Sequence, residues 1–150
     1  MWLQDDEIIP VDCIILKSPN ADGSCMISTG QLDGERTLKP KFALYETQND
    51  INCIKKNDME SFSVYCSEPN AYLFYFDAVA EIRNADNSND HRQLGMEHFL
   101  PRGSILRNSG SGIFAMTVYT GPDTKLIKNQ GKFKYKKSNT EQTMNKIYII

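Results

Sequence analysis

With 150 residues, 40% of them hydrophobic and 24% charged, the chain has the make-up of one ordinary globular domain. A net charge of −2 excludes a general electrostatic pull toward nucleic acid, and no apolar run reaches the roughly 20 residues a membrane-spanning helix needs. Cysteines at 13, 25, 53 and 66 and histidines at 91 and 98 form no zinc pattern, so the thiols read as reduced, mostly buried and suited to the cytosol.

Charged residues begin almost at once, so no signal peptide is expected. Ile8, Ile9, Val11, Ile14, Ile15 and Leu16 then predict a strand over 8–17, with Pro10 at a strand start, an edge or a bulge. Ser18 to Gly23 has turn chemistry, and 24–29 predicts a second short strand. It leads into Gln31-Leu32-Asp33-Gly34-Glu35-Arg36. Asp33-Gly34 suits a tight hairpin turn, because Gly tolerates positive φ and Asp can bond its own backbone. Such a turn would hold the Glu35 carboxylate at an exposed tip, just before Lys39 and Lys41.

Thr37 to Thr47 could form a short helix, although Pro40 lies inside it, and 48–60 reads as loop. From Ser61 the period becomes two: Phe62, Val64 and Cys66 share one face of a half-buried strand. After a turn at Glu68-Pro69-Asn70, the residues Tyr72, Phe74, Phe76, Ala78, Ala80 and Ile82 predict one long alternating strand face, read as core. The stripe lacks the interleaved Lys or Arg of a base-stacking platform. Asn84 to Arg92 is a polar loop, and 98–108 and 112–119 predict two more strands around Ser109-Gly110-Ser111-Gly112. Thr120 to Asp123 turns into a short helix over 124–129, with Pro122 near its first position.

Gly131 to Lys137 holds four lysines in seven residues with Phe133 and Tyr135 between them; it reads as a solvated linker or as a segment that meets anionic lipid headgroups. Ser138-Asn139-Thr140-Glu141 matches a capping box, so a helix is expected over 138–150. The apolar ending Ile147 to Ile150 suggests that this helix leads toward a membrane span, or else that it docks on the core. The fold class is mainly β with a few short helices.

Several blocks stand in register: Asp6 to Leu16, the Asp33-Gly34-Glu35 loop, Leu106-Arg107-Asn108, Val118 to Leu126 and Lys137 to Glu141. In this order the chain resembles the actuator domain of P-type ATPases, and within them the phospholipid-transporting (flippase) branch. That branch usually reads Asp-Gly-Glu-Thr in this loop, where cation pumps usually carry Thr-Gly-Glu. The resemblance implies a distorted jelly roll. It also implies a single actuator domain over 1–150, with a variable insertion at about 46–98.

By the same resemblance Glu35 is the catalytic residue, positioning and deprotonating the water that hydrolyses an aspartyl phosphate held in another domain. Gly34 would let the backbone come close to the phosphate, and Asp33 would hold the turn and keep other anions away. Arg36 stands where flippases usually carry Thr. It could stabilise the phosphoryl oxygens, or it could pair with Glu35 and lower its basicity. The chain has no Asp-Lys-Thr-Gly sequence, no Walker-type loop and no metal-ligand cluster. ATP and Mg2+ are therefore expected only in the full-length protein, and this piece alone should be inactive. The implied partners are the phosphorylation and nucleotide-binding domains of the same chain, a phospholipid substrate and its membrane, and a candidate accessory subunit. The implied location is the cytosolic face of that membrane. Two alternatives stand beside this reading: the actuator domain of a cation-transporting P-type ATPase, and a non-catalytic β-rich binding module.

Overall fold

The structure is a computed structural model that describes residues 1–49, 62–83 and 88–131. It is mainly β, as expected, with three antiparallel sheets. The first has the order β1-β10-β2-β8, built from Trp2–Leu3, Ile113–Tyr119, Asp12–Lys17 and Phe99–Leu100. The second has the order β4-β3-β9, from Leu38–Phe42, Ser24–Ser28 and Ile105–Arg107. The third has the order β5-β6-β7, from Phe62–Cys66, Ala78–Arg83 and Asn89–Leu94.

Strand β2 shows why its sequence is an almost continuous apolar run rather than an alternation. Cys13 and Ile15 point into a core shared with Cys25, Ile27 and Leu106 of the second sheet. Ile14 and Leu16 point the other way, into a core with Ala78, Ala80 and Leu94 of the third. A strand covered on both faces gains from apolar residues at every position. The first sheet is thus the middle layer. A register shift between Thr117 and Tyr119 in β10 lets Tyr119 join the second core although Ala115 belongs to the first. There Phe76 stacks on Phe99 at 4.4 Å between ring centroids, and the Tyr119 hydroxyl donates to the Ser67 carbonyl at 2.6 Å. Cys13 and Cys25 are buried free thiols, and burial pushes each up to about 12.

Several predicted boundaries are corrected. The strand predicted from residue 8 begins at Asp12; Pro10 lies outside it, and Ile8 makes only an isolated bridge to Ile105. The helix predicted over 37–47 is instead edge strand β4 followed by α1, Tyr45–Asn49. Pro40 is tolerated because β4 has a neighbour on one side only. Helix α1 forms because its side chains finish the preceding turn. The Thr47 hydroxyl donates to the Leu16 carbonyl, and Gln48 accepts from the Ser18 N–H and donates to the Ser18 carbonyl, each at 2.9 Å.

The long strand predicted from Tyr72 is only Ala78–Arg83. Phe76, Ala78, Ala80 and Ile82 are core as expected, but Tyr72 and Phe74 are 72% and 63% exposed. The reason lies at Asn70, whose side-chain oxygen accepts the Tyr72 N–H at 3.1 Å and the Lys125 ammonium at 2.8 Å, curling the segment before pairing begins.

The predicted polar loop over 84–92 contains the start of β7, a sheet edge whose side chains stay wet until Leu94. The strand predicted over 98–108 is two, β8 and β9, which a turn at Pro101 to Ser104 sends to different sheets. Gly121–Asp123 forms a 3-10 turn and Lys125–Gln130 a helix, α2, near the predicted position. Cys53, the lysines at 132–137 and the helix expected over 138–150 lie outside the described residues. No helix among the described residues is long and apolar enough to cross a membrane.

Candidate functional site

The connection from β3 to β4 carries Asp33, Gly34, Glu35 and Arg36. It is not the tight hairpin turn expected. Gly30–Asp33 winds one helical turn and Gly34 closes it at φ 76°, donating its N–H to the Gly30 carbonyl at 3.1 Å. The helical turn forms because Thr29 can serve both its ends. The Thr29 carbonyl accepts the Leu32 and Asp33 N–H groups at 2.7 and 3.1 Å, and its hydroxyl donates to the Asp33 carboxylate at 3.0 and 2.9 Å. Leu32 lines a small cavity with Ile27, Phe74, Met96 and Pro101.

Asp33 sits at the centre of the polar network. Besides the Thr29 hydroxyl, it accepts the Glu35 N–H at 2.9 Å and the Lys39 ammonium at 2.7 Å. Its side chain is 11% exposed. Burial opposes the charged form, but the bonds from Lys39, the Glu35 backbone and Thr29 outweigh it and hold the carboxyl below the usual range. Lys39 shows the mirror effect: burial disfavours its charge, yet Asp33 and Glu35 hold it above the ordinary lysine value.

The Glu35 carboxylate stands outward, 56% exposed, at 2.8 Å from the Lys39 ammonium. Arg36 is exposed and has no ion-pair partner among the described residues. Of the two roles weighed for it, pairing with Glu35 is therefore taken by Lys39. Gly34 has no atom within 4 Å of where a Cβ would stand, so within this domain the requirement for glycine is conformational.

The structure thus brings Asp33, Gly34 and Glu35 together at an exposed tip. It adds Lys39 and Phe74, neither of which the sequence marked as a site residue. Phe74 places its ring 4.8 Å from the Lys39 ammonium. Lys39 could have been found from its position four residues after Glu35. Phe74, far along the chain and assigned to the core, gave no signal.

The chain is similar over its whole length to known proteins. Phospholipid-transporting ATPase IH of Mus musculus is 33% identical over 152 residues, covering 100% of this chain. Probable phospholipid-transporting ATPase 12 of Arabidopsis thaliana is 34% identical over 148 residues, covering 99% of it. The chain belongs to the phospholipid-transporting ATPase family. It spans about an eighth of the length of these relatives, 12% in both cases, so it corresponds to one segment of such an ATPase. Probable phospholipid-transporting ATPase IM of Homo sapiens, at 33% identity over 150 residues, gives the same correspondence. No protein-family model matches the chain.

Proposed function

We propose that this segment is the actuator domain of an ATP-driven phospholipid flippase, a distorted jelly roll spanning 1–150 and working at the cytosolic face of the membrane. Glu35 is its catalytic residue. The observation that carries this reading is the exposed Glu35 carboxylate, presented just after a helical turn in the connection between strands β3 and β4 of the second sheet.

In this reading another domain of the same full-length protein takes a phosphoryl group from ATP onto an aspartate. The actuator domain then brings Glu35 to that aspartyl phosphate. The carboxylate accepts a proton from a water molecule as the water oxygen attacks phosphorus. The bond from phosphorus to the aspartyl oxygen breaks, releasing inorganic phosphate and a free aspartate. Such an in-line displacement needs an oriented water more than it needs covalent help, and an outward carboxylate on a short stiff turn can supply that orientation. Arg36, exposed beside Glu35, is available to the phosphoryl oxygens.

ATP and Mg2+ belong to the other domains, and among the described residues no group of His, Cys, Asp or Glu gathers to hold a metal ion. The partners are the phosphorylation and nucleotide-binding domains, the lipid and its membrane, and a candidate accessory subunit. The relatives' names speak for a phospholipid rather than a cation as the transported species.

The test is Glu35→Gln in the full-length protein. Phosphoenzyme decay should slow by about a hundredfold or more while phosphoenzyme still forms and the domain stays folded. Decay at the wild-type rate would remove Glu35 from this role.

A further inference from the structure

Resting on the reading of Glu35 above, we propose that Lys39 is a positioning residue: anchored by Asp33 and braced by Phe74, it fixes where the Glu35 carboxylate points. An ammonium has three N–H donors and no acceptor. Two of its directions are taken by Asp33 at 2.7 Å and Glu35 at 2.8 Å, and it lies over the ring of Phe74 at 4.8 Å. The two carboxylates are not equivalent. Asp33 is locked by the Thr29 hydroxyl and the Glu35 N–H and is 11% exposed; Glu35 has Lys39 as its one ion-pair partner among the described residues and is 56% exposed. The lysine is therefore fixed from the Asp33 side and acts on the Glu35 side.

The backbone cooperates, because the same Asp33 carboxylate that holds the lysine also holds the Glu35 N–H. Main chain and side chain of Glu35 are thus set by one anchor. The cost of freeing such a carboxylate is rotational: each added rotamer lowers the fraction of time it faces an incoming water. The Phe74 ring contributes by limiting where the lysine head can go, so the exposed aromatic segment supports the loop.

A purely structural lysine would brace the β3–β4 connection and nothing more. The two roles separate in the full-length protein, by following phosphoenzyme formation and decay in Lys39→Met, Lys39→Arg and Phe74→Ala. Lys39→Met keeps the stem and removes the charge; decay should slow by about tenfold with formation unchanged. Lys39→Arg, whose fork can span both carboxylates, should restore decay to within about twofold. Phe74→Ala removes an exposed ring, leaves the domain folded, and should slow decay by about threefold. In a Glu35→Gln background Lys39→Met should add nothing further, since the positioned group is gone.

Lys39→Met decay at the wild-type rate, or an equal slowing in the Glu35→Gln background, would overturn the positioning role and leave Glu35 in place. If Lys39→Met does not fold, an unchanged decay in Phe74→Ala overturns it instead. Wild-type decay in Glu35→Gln alone would fell both this inference and the reading it rests on.

Discussion

Asp12 and Asp33 are both aspartates tied to a lysine, and their surroundings push them in opposite directions. Asp12 opens β2 with no exposed surface; its two oxygens accept the Arg102 N–H at 2.8 Å and the Lys125 N–H at 2.7 Å. Burial pushes its carboxyl above the usual range despite those bonds, because the donors are neutral amides and the Lys125 ammonium turns away to Asn70. At Asp33 burial acts in the same sense but is smaller than the combined effect of an ammonium, an amide and a hydroxyl. The first arrangement fastens β2 to the turn before β9 and to α2, so it serves the fold. The second leaves its lysine shared with an outward carboxylate, so it serves the tip. Ionic partners at the rim of a domain can be lent to function, whereas a buried carboxylate is spent on holding backbone.

The comparison breaks most visibly on deletion. Asp12→Ala strands the buried Lys125 N–H and the part-buried Arg102 N–H and should cost about 3 kcal/mol in urea unfolding of the domain, whereas Asp33→Ala should cost about 1 kcal/mol. Equal costs would show the tip network to be as structural as the buried one. A smaller effect sharpens what the tip requires. Gly34→Ala should cost about 1 kcal/mol for its positive φ, and Gly34→Asn only a few tenths, because Asn visits that region more readily. A tenfold loss of phosphoenzyme decay in both variants, with the fold intact, would instead favour the close approach of backbone to phosphate.

The smallest effect is on pH dependence, and its sign differs between the two sites. Asp33 is depressed in the fold, so its contribution is complete above its unfolded value of about 3.9 and fades as pH falls through the lower folded value. Asp12 is raised, so its ionised form weighs against folding above its folded value, and that burden lifts as the group protonates on acidification. As pH falls from neutral to about 2 the melting-temperature gap between wild type and Asp33→Asn should close, while that between wild type and Asp12→Asn should open. Gaps that move together would contradict the difference drawn here.

Much of the fold could be read from local pattern. The strands at 62–66 and 113–119, the turn at 18–23 and the helix near 124 follow from alternation and turn chemistry. The failures share a cause. Tyr72 and Phe74 continue the period of β6, but a side-chain hydrogen bond to Asn70 from distant Lys125 curls them out of the sheet. Asn89 to Gln93 looks like loop because one strand at an edge can remain polar when its neighbour supplies the core. At the site, Asp33, Gly34 and Glu35 were legible as a motif on an exposed tip. Their support by Phe74 was not, since 39 residues of chain separate it from Glu35.

The order of residues by itself determined that this protein is β-rich, that the apolar run before Ser18 holds a strand, and that an acidic side chain follows Asp33-Gly34; each of these depends on neighbours along the chain. Only the tertiary structure decided that Thr29 and Gly34 would close that motif into a helical turn, that Lys39 rather than Arg36 would pair with Glu35, and that the ring of Phe74, distant along the chain, would brace the lysine. The physical reason is that ion pairs and ring contacts depend on distance in space, and the packing of the sheets sets that distance.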